Sequence, residues 1–320
     1  MKTSFLNQQK LPLIVEIDEA REPRARPEAV VEACLRHREF LHDQLLKWGA
    51  LLIRGCPTLA PPDFARFVRE FSGKSLIDYA GGASPRVKLG GGVYTSTEYP
   101  QHYTLSLHNE LSYTYRWPDH LYFCCITASG QGGETSLGNS RAILKAMDEK
   151  VVSEFKRRKI KYVRNLHGGA NSGYSWQEAF ETDDKRLIEA HCRAGGICFK
   201  WGDDGGLTLS EVRPATTRHP VTGEEVWFNQ ADGFHPSAIE RETYELLIST
   251  MKEDEFRLNS FYGDGEPLDL SALNHAREVI RGEVVLFPWQ VGDILILDNL
   301  LTAHGRMPFT GTRKIHLAMT

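Results

Sequence analysis

The sequence predicts a mainly β fold, an antiparallel sandwich or jelly roll that carries helical additions. Short runs with strand character recur along the chain, and Gly, Pro, Asp or Asn bounds most of them. Segments in which apolar residues recur at helical spacing are fewer. Many short strands with a minority of helices are typical of these two architectures. The strand-like runs are ALLIRG, GVYTSTEY, HYTLSLHNELSYTY, HLYFCCITA, ICFKW, EVVLFPWQ, GDILILDN and RKIHLAMT.

The first predicted helix covers residues 27–49, where apolar residues recur at helical spacing and Pro27 and Gly49 mark the two ends. ALLIRG follows it as a predicted buried strand. Because no linker or repeat interrupts the chain, we expect one domain over residues 1–320, in which the N-terminal helix and strand, about residues 1–77, pack on a core of about residues 78–320. Further helices are predicted in PPDFARFVREFSG, SRAILKAMDEKVVSEFKRR and PSAIERETYELLISTMKED.

Composition argues against two classes of partner. The chain has 41% hydrophobic and 25% charged residues and a net charge of -4, which offers no basic face for a nucleic acid and no polybasic patch for a membrane. Neither a signal peptide nor a run of about 18 apolar residues is visible, so we expect a cytoplasmic protein. The six cysteines lack a CxxC spacing and are predicted to be buried thiols.

The stretch TLSLHNELSY places His108 and Glu110 two positions apart. With 12 histidines and 42 acidic residues in 320, chance alone gives about 1.6 matches to the pattern His-x-Asp/Glu, and the chain contains two. The other match, His37 and Glu39, lies in a predicted helix, where residues two apart point to nearly opposite sides. His108 and Glu110 lie in an extended run, where such residues share a face. That polar face, which also carries Thr104, Ser106 and Ser112, is predicted to line an active site.

A third metal ligand should be another histidine, because two histidines and one carboxylate leave three adjacent positions open on Fe(II). His304 is the best candidate, since it follows an apolar strand and a turn at Asp298 and Asn299 and begins the last predicted hairpin. The competing interpretation is that His304 has only a structural role, with its hydrogen bonds satisfied in the core or in the turn.

Arg313 heads the more apolar face of the last strand, where an unpaired buried charge would cost several kcal/mol. Its guanidinium therefore needs an anion. A dicarboxylic cosubstrate would meet that need through two-pronged hydrogen bonds, and a structural partner such as Asp293 or Asp298 would meet it equally well.

Three stretches together resemble the taurine-dioxygenase-like (TauD/TfdA) family of Fe(II)/2-oxoglutarate oxygenases, in particular the branch similar to clavaminate synthase and the SyrP-type tailoring enzymes. They are LHNELSY, QGGETSLGNSR and GDILILDNLLTAHGRMPFTGTRK, in family order and with plausible spacings of 27 residues from His108 to Thr135 and 9 from His304 to Arg313. The likeness runs from about Asp78 to the C-terminus.

This resemblance implies a double-stranded β-helix (jelly-roll) core flanked by helices. It implies Fe(II) on His108, Glu110 and His304, and a 2-oxoglutarate carboxylate held by Arg313 and Thr135, with O2 as the second cosubstrate. Family halogenases replace the metal-binding carboxylate by a small residue, so Glu110 argues against halogenation. Hydroxylation is the expected outcome, and desaturation, cyclisation and epoxidation are open to the same chemistry.

The expected substrate is an amino acid or an amino-acid-derived unit, free or tethered to a carrier protein, in specialised metabolism such as antibiotic biosynthesis. By analogy with the family, the glycine-rich segment GGASPRVKLGGGVYTSTEYP lies near the substrate entrance, with Arg86 binding a substrate carboxylate or lying solvated in a loop. The other expected substrate residues are Thr97, Glu98, Asn109 and Asn229. Two rival functions are a silent jelly-roll binding protein and a cupin-like isomerase or hydrolase that uses Zn²⁺ or Mn²⁺.

Overall fold

Strands supply the centre of the fold and helices cover it. The computed structural model describes residues 1–17, 27–169, 174–252 and 255–320. The strands are β1 (Lys2–Phe5), β2 (Leu13–Glu16), β3 (Ala50–Arg54), β4 (Lys88–Gly90), β5 (Val93–Thr95), β6 (Leu105–His108), β7 (His120–Thr127), β8 (Gln131–Gly132), β9 (Thr135–Asn139), β10 (Ile160–Leu166), β11 (Cys198–Trp201), β12 (Leu207–Arg213), β13 (Thr216–Arg218), β14 (Glu225–Trp227), β15 (Leu258–Tyr262), β16 (Val285–Phe287), β17 (Ile294–Asp298), β18 (Thr302–Arg306), β19 (Phe309–Thr310) and β20 (Lys314–Met319).

The helices agree with the predicted segments in part. They are α1 (Pro27–Arg36), α2 (Arg38–Trp48), α3 (Pro61–Ser72), α4 (Ser140–Ala146), α5 (Glu149–Arg158), α6 (Trp176–Phe180), α7 (Lys185–Gly195), α8 (Ala231–Phe234), α9 (Arg241–Thr250) and α10 (Leu270–Gly282). None of the helices in the described ranges is long and apolar enough to cross a membrane.

Two of the predicted helices are each divided into two helices in the structure. The first breaks at His37, so this histidine lies at a junction and not within a helix as predicted, and α2 ends at Gly49, whose φ of 79° is left-handed. The second breaks at Asp148, whose side chain accepts a hydrogen bond from the Lys150 N–H and begins a new helix there. α9 is shorter than predicted, and Glu253 and Asp254 of that prediction lie outside the described residues. α6, α7, α8 and α10 were not predicted.

The main sheet has eight strands in the order β1-β2-β3-β17-β7-β20-β5-β4. Facing it is a four-stranded sheet in the order β16-β9-β18-β6. Apolar residues of both sheets, such as Phe123, Leu295 and Leu317 of the first and Leu107 and Leu137 of the second, share one buried cluster. Two packed sheets with a common apolar interior are a sandwich, so the prediction of a mainly β fold is confirmed.

The N-terminal segment is a structural part of the main sheet. β3 pairs antiparallel with β17, from Ile294 opposite Ile53 to Leu297 opposite Ala50, and parallel with β2. These strands therefore extend the sheet. The sequence led us to expect that this segment packs on a core of about residues 78–320, and it did not indicate the strand pairing. The opposite face of the sheet packs on α1, α2 and α3 through a second buried cluster.

A third sheet, β11-β12-β10-β15, lies within the insertion between β9 and β16 and packs on α6 and α7. Five of the six cysteines are buried free thiols as predicted, and Cys198 on β11 is exposed.

Candidate active site

Strand pairing brings the two candidate histidine ligands together. β6 and β18 are antiparallel neighbours, and His304 lies directly opposite His108 in their register. Directly opposite residues project to the same face of a sheet, and the two imidazole rings lie 4.4 Å apart between centroids. The ring of Phe123 on the facing sheet lies 5.4 Å from that of His304, so the pair points into the space between the sheets.

Glu110 reaches the same place by a different route from the one predicted. β6 ends at His108, so Glu110 lies in a turn and not on the extended face that the sequence suggested. Leu111 has a φ of 55°, a left-handed value that is uncommon for a leucine. Because Glu110 lies beyond the end of β6, its backbone N–H and carbonyl form hydrogen bonds with the buried side chain of Asn299.

The ligand atoms of His108, Glu110 and His304 all lie within 4.8 Å of one another. Oε2 of Glu110 is 3.7 Å from Nε2 of His304. Nδ1 of His108 lies 2.9 Å from the carbonyl oxygen of Ser106, and a proton donated there leaves Nε2 of the same ring free for a metal. Two imidazoles and one carboxylate at this spacing suit Fe(II) with open coordination positions.

Electrostatics favour the neutral form of His304. Burial holds the pKa of His304 well below its ordinary value, and the nearby charges of His108 and Arg86 act in the same direction. A histidine binds a metal through a neutral ring nitrogen. The environment therefore keeps His304 in the form that ligates.

Arg86 lies inside the site, not in a solvated loop. Its guanidinium donates a hydrogen bond of 2.7 Å to Oε2 of Glu110, and the two side chains are 4% and 3% exposed. It also donates a hydrogen bond to the carbonyl of Ser96 and lies 4.4 Å from the ring centroid of Tyr79. The anion that Arg86 contacts is thus a candidate metal ligand.

Arg313 has no carboxylate partner among the described residues. Its Nε donates to the carbonyl of Gly133 at 3.1 Å. Asp293, one proposed structural partner, pairs with Arg54 at 2.9 Å, and Asp298, the other, pairs with His219 at 3.0 Å. Burial lowers the pKa of Arg313 to about 10, and the charge of Arg306 contributes. The surroundings of Arg313 thus fit a bound anion better than a structural ion pair.

Thr135 lies near Arg313, two residues after Gly133. Its hydroxyl oxygen accepts a hydrogen bond of 2.9 Å from the indole N–H of Trp289, which leaves the hydroxyl proton free for an acceptor. Gly133 has a φ of 72°, and a Cβ there would lie 2.4 Å from Oγ of Ser129 and 3.1 Å from Cδ of Arg313. The absence of a side chain at Gly133, in the stretch QGGETSLGNSR, thus lets the arginine approach the backbone.

Sequence reasoning missed Arg306. It is 4% exposed and donates to the carbonyls of Tyr99, Pro100 and Tyr103 at 2.9, 2.7 and 2.9 Å. His304 and Arg306 are two positions apart on a strand, so their side chains share a face. This periodicity could have predicted that Arg306 lies beside the site.

Residues 96–104, here called the entrance loop, follow β5 and are attached to the site by these arginines. The carbonyl of Ser96 accepts a hydrogen bond from Arg86, and its hydroxyl oxygen accepts one of 3.5 Å from Arg313. The loop contains two expected substrate residues. Oγ1 of Thr97 accepts from the N–H of Tyr99 at 3.1 Å, and Glu98 is exposed.

Asn109 and Asn229, two further expected substrate residues, make hydrogen bonds within the protein. Both are buried. The amide of Asn109 donates to Ser140 Oγ and to the carbonyl of Asn299. The amide of Asn229 donates to the carbonyl of Ala215 and accepts from the N–H of Ala231. Each amide stabilises backbone or a neighbouring hydroxyl.

The chain is similar to known proteins along most of its length. The family model for "Taurine catabolism dioxygenase TauD, TfdA family" matches residues 19–320. The dapdiamide synthesis protein DdaC of Enterobacter agglomerans is 37% identical over 271 residues, 85% of this chain and 82% of that protein. A clavaminate synthase-like protein of Arabidopsis thaliana is 29% identical over 286 residues, 87% of this chain and 83% of that protein.

Solved structures show the same fold at low identity. PvcB of Pseudomonas aeruginosa superposes with a TM-score of 0.53 and 15% identity, covering 96% of this chain and 84% of that one. AAD-2, solved with Mn(II) and N-oxalylglycine, gives a TM-score of 0.51 and 12% identity, covering 100% and 96%. The jelly-roll prediction is confirmed. Because the family match spans nearly the whole chain, the chain belongs to the TauD/TfdA family and is an Fe(II)- and 2-oxoglutarate-dependent dioxygenase.

Proposed function

We propose that His108, Glu110 and His304 bind the Fe(II), that Arg313 and Thr135 bind the distal carboxylate of 2-oxoglutarate, and that the enzyme hydroxylates an unactivated C–H bond of an amino acid or amino-acid-derived unit. The observation that carries the proposal is the convergence of three ligand atoms within 4.8 Å. In such a reaction 2-oxoglutarate and O2 become succinate, CO2 and the new hydroxyl group of the product.

The support for the cosubstrate site is a surplus of positive charge. Arg313 and Arg306 are both guanidiniums without a carboxylate partner in the described part of the chain, and burial lowers the pKa of each. A dianionic cosubstrate would compensate the positive charge there. The free hydroxyl proton of Thr135 adds a donor to the same anion.

The support for a polar, amino-acid-like substrate is a cavity of about 470 Å³ beside Arg86. Groups of both charges line it: Arg86, Lys88, Glu178 and Glu181, with Tyr174. The relative DdaC is by name a dapdiamide synthesis protein, and a role in specialised metabolism is part of this proposal. So are a carrier-tethered form of the substrate, a cytoplasmic location and a single-domain organisation.

The test is anaerobic addition of Fe(II) and 2-oxoglutarate, which should give the weak visible charge-transfer band of the chelate. His108→Ala should abolish the band and the uncoupled formation of succinate under O2. His37→Ala, in the other His-x-Glu match, is the matched control and should change neither. A folded wild-type protein without the band would contradict the proposal. Anion binding without succinate would indicate a silent binding protein, and turnover without O2 a cupin-like isomerase or hydrolase.

For the substrate, candidate amino acids should be tested free and carrier-tethered for the formation of a hydroxylated product. A product with a new double bond, ring or epoxide would replace hydroxylation as the outcome. A requirement for the tethered form would establish a carrier as partner.

A further inference from the structure

Asn299 makes two hydrogen bonds to the backbone of one residue, Glu110. Its Oδ1 accepts from the N–H of Glu110 at 2.7 Å, and its Nδ2 donates to the carbonyl of Glu110 at 3.0 Å. The same Nδ2 donates to the carbonyl of Pro118 at 2.9 Å. Asn299 is fully buried. One side-chain amide therefore provides the donor and the acceptor that a neighbouring strand would provide.

The backbone of Glu110 needs such a partner. β6 has ended at His108, so no ladder of strand hydrogen bonds continues through Glu110. The next residue, Leu111, has the left-handed φ of 55°, a conformation that persists only where the surroundings fix it. A buried N–H or carbonyl without a partner is destabilising. The bonds to Asn299 stabilise a bend that turns the Glu110 carboxylate toward the histidines.

Asn299 is itself fixed by its neighbour. Oδ1 of Asp298 accepts from the N–H groups of Leu300 and Leu301 at 3.0 and 3.1 Å, and its Oδ2 lies 3.0 Å from Nε2 of His219. Nδ1 of His219 accepts from two backbone N–H groups, those of Val221 and Thr222. The His219 proton is therefore on Nε2 and is donated to Asp298.

Asn299 lies in the turn that connects β17, which ends at Asp298, to β18, which begins at Thr302 and carries His304. A shift of this turn would thus move two of the three candidate ligands at once.

We propose that Asn299 is a positioning residue of the metal site, which sets the place of Glu110 relative to His304, and that the Asp298–His219 pair keeps Asn299 in place. The inference depends on the proposed function for the identity of the metal ligands. Outer partners that orient metal ligands typically contribute about 10–100-fold to metal affinity.

The test is the affinity for Mn(II), measured by the electron paramagnetic resonance signal of the free ion. Asn299→Asp keeps the size and one acceptor oxygen but replaces the Nδ2 donor by an acceptor that faces two carbonyls. We expect its Mn(II) affinity to fall by about 10–100-fold. Asn259→Asp, at a comparably buried asparagine on β15 whose Oδ1 accepts from the N–H of Ser260, is the control and should bind Mn(II) as the wild type does.

Equal Mn(II) affinity of Asn299→Asp and wild type would overturn the inference, and so would an equal loss in the Asn259→Asp control. If Asn299→Asp does not fold, His219→Asn decides: an affinity several-fold weaker supports the inference, and an unchanged affinity overturns it. Failure of the wild type to bind Mn(II) would instead contradict the proposed function.

Discussion

The guanidinium of Arg86 donates a 2.7 Å hydrogen bond to the carboxylate of Glu110, and both side chains are almost completely buried. Removing one partner of a buried ion pair is costly because the other charge is left uncompensated. A divalent cation bound by Glu110 would supply that compensation. The stability of the protein without Arg86 should therefore depend more strongly on metal than that of the wild type.

Arg86→Met should lower the free energy of unfolding in chelator by about 3–5 kcal/mol, the usual cost of breaking a buried pair. Mn(II) should recover a larger part of the stability in the variant than it adds to the wild type, because the metal replaces the missing positive charge. Thermal unfolding with and without Mn(II) measures both quantities. Lys88→Met, which removes an exposed cation nearby, should leave the Mn(II) effect unchanged. Equal Mn(II) effects in wild type and Arg86→Met would refute the argument.

Arg313→Met should weaken 2-oxoglutarate binding by about 10–100-fold, the value of a hydrogen bond to a charged group. Arg313→Lys keeps the charge and loses the forked geometry, so its affinity should lie between those of Arg313→Met and wild type. Anaerobic titration of the Fe(II) protein with 2-oxoglutarate measures the affinities. Arg186→Met, at an exposed arginine, serves as the control. Wild-type affinity in Arg313→Met would exclude Arg313 from the cosubstrate site.

Arg306→Met should release the entrance loop, because the three carbonyls of Tyr99, Pro100 and Tyr103 lose their common donor. Tyr103 is 54% exposed, and chymotrypsin should cleave after it at least about tenfold faster in the variant, since local opening controls cleavage. Arg277→Met is the matched arginine control, because Arg277 donates to the carbonyl of Asp232, which lies outside the loop. Equal cleavage rates in all three proteins would show that Arg306 does not restrain the loop.

The sequence was sufficient to predict that His108 and His304 lie together, because strand periodicity and an apolar strand before a turn are local signals. It also predicted that Glu110 lies beside them, but for an incomplete reason. The i, i+2 rule assumed that the strand continued, but the chain turns at Leu111, and Asn299, nearly 190 positions away, holds the bend. No local pattern reports such a contact.

The same limit applies to the contacts of Asn109 and to the role of β3. Asn109 lies between His108 and Glu110 in sequence, and its amide donates to the carbonyl of Asn299, 190 positions away. ALLIRG was correctly predicted as a buried strand, but its partner β17 is determined by tertiary pairing. Periodicity identifies a strand and its buried face. Which strand pairs with it depends on residues far away in the sequence, and periodicity does not report them.

His235→Asn should change how stability depends on pH. Burial lowers the pKa of His235 from 6.5 to about 4, with a contribution from the Arg277 guanidinium. As pH falls below 6.5, the unfolded chain takes up the proton first, so the stability from neutral His235 is complete above pH 6.5 and is lost as pH falls through about 4.

In the wild type, Nδ1 of His235 accepts a hydrogen bond of 3.1 Å from the N–H of Ser237. An asparagine at this position keeps an acceptor for that N–H and does not titrate. The difference in unfolding free energy between wild type and His235→Asn should therefore shift by about 3 kcal/mol against the wild type between pH 7 and pH 4. Urea unfolding at several pH values measures it. Parallel pH profiles of the two proteins would show that His235 is not held neutral.

Leu52→Ala tests whether the N-terminal strands belong to one cooperative unit with the metal site. Leu52 on β3 is fully buried in the cluster between the sheets, so its truncation should lower the free energy of unfolding by about 2–5 kcal/mol. If the chain is one domain, secondary structure and Mn(II) binding should be lost together at a lower denaturant concentration, because β3 pairs directly with β17. Leu246→Ala, at a leucine 62% exposed on α9, should change stability by less than about 0.5 kcal/mol. Loss of part of the secondary structure at low denaturant, with Mn(II) binding retained, would show that the N-terminal strands unfold as a separate unit.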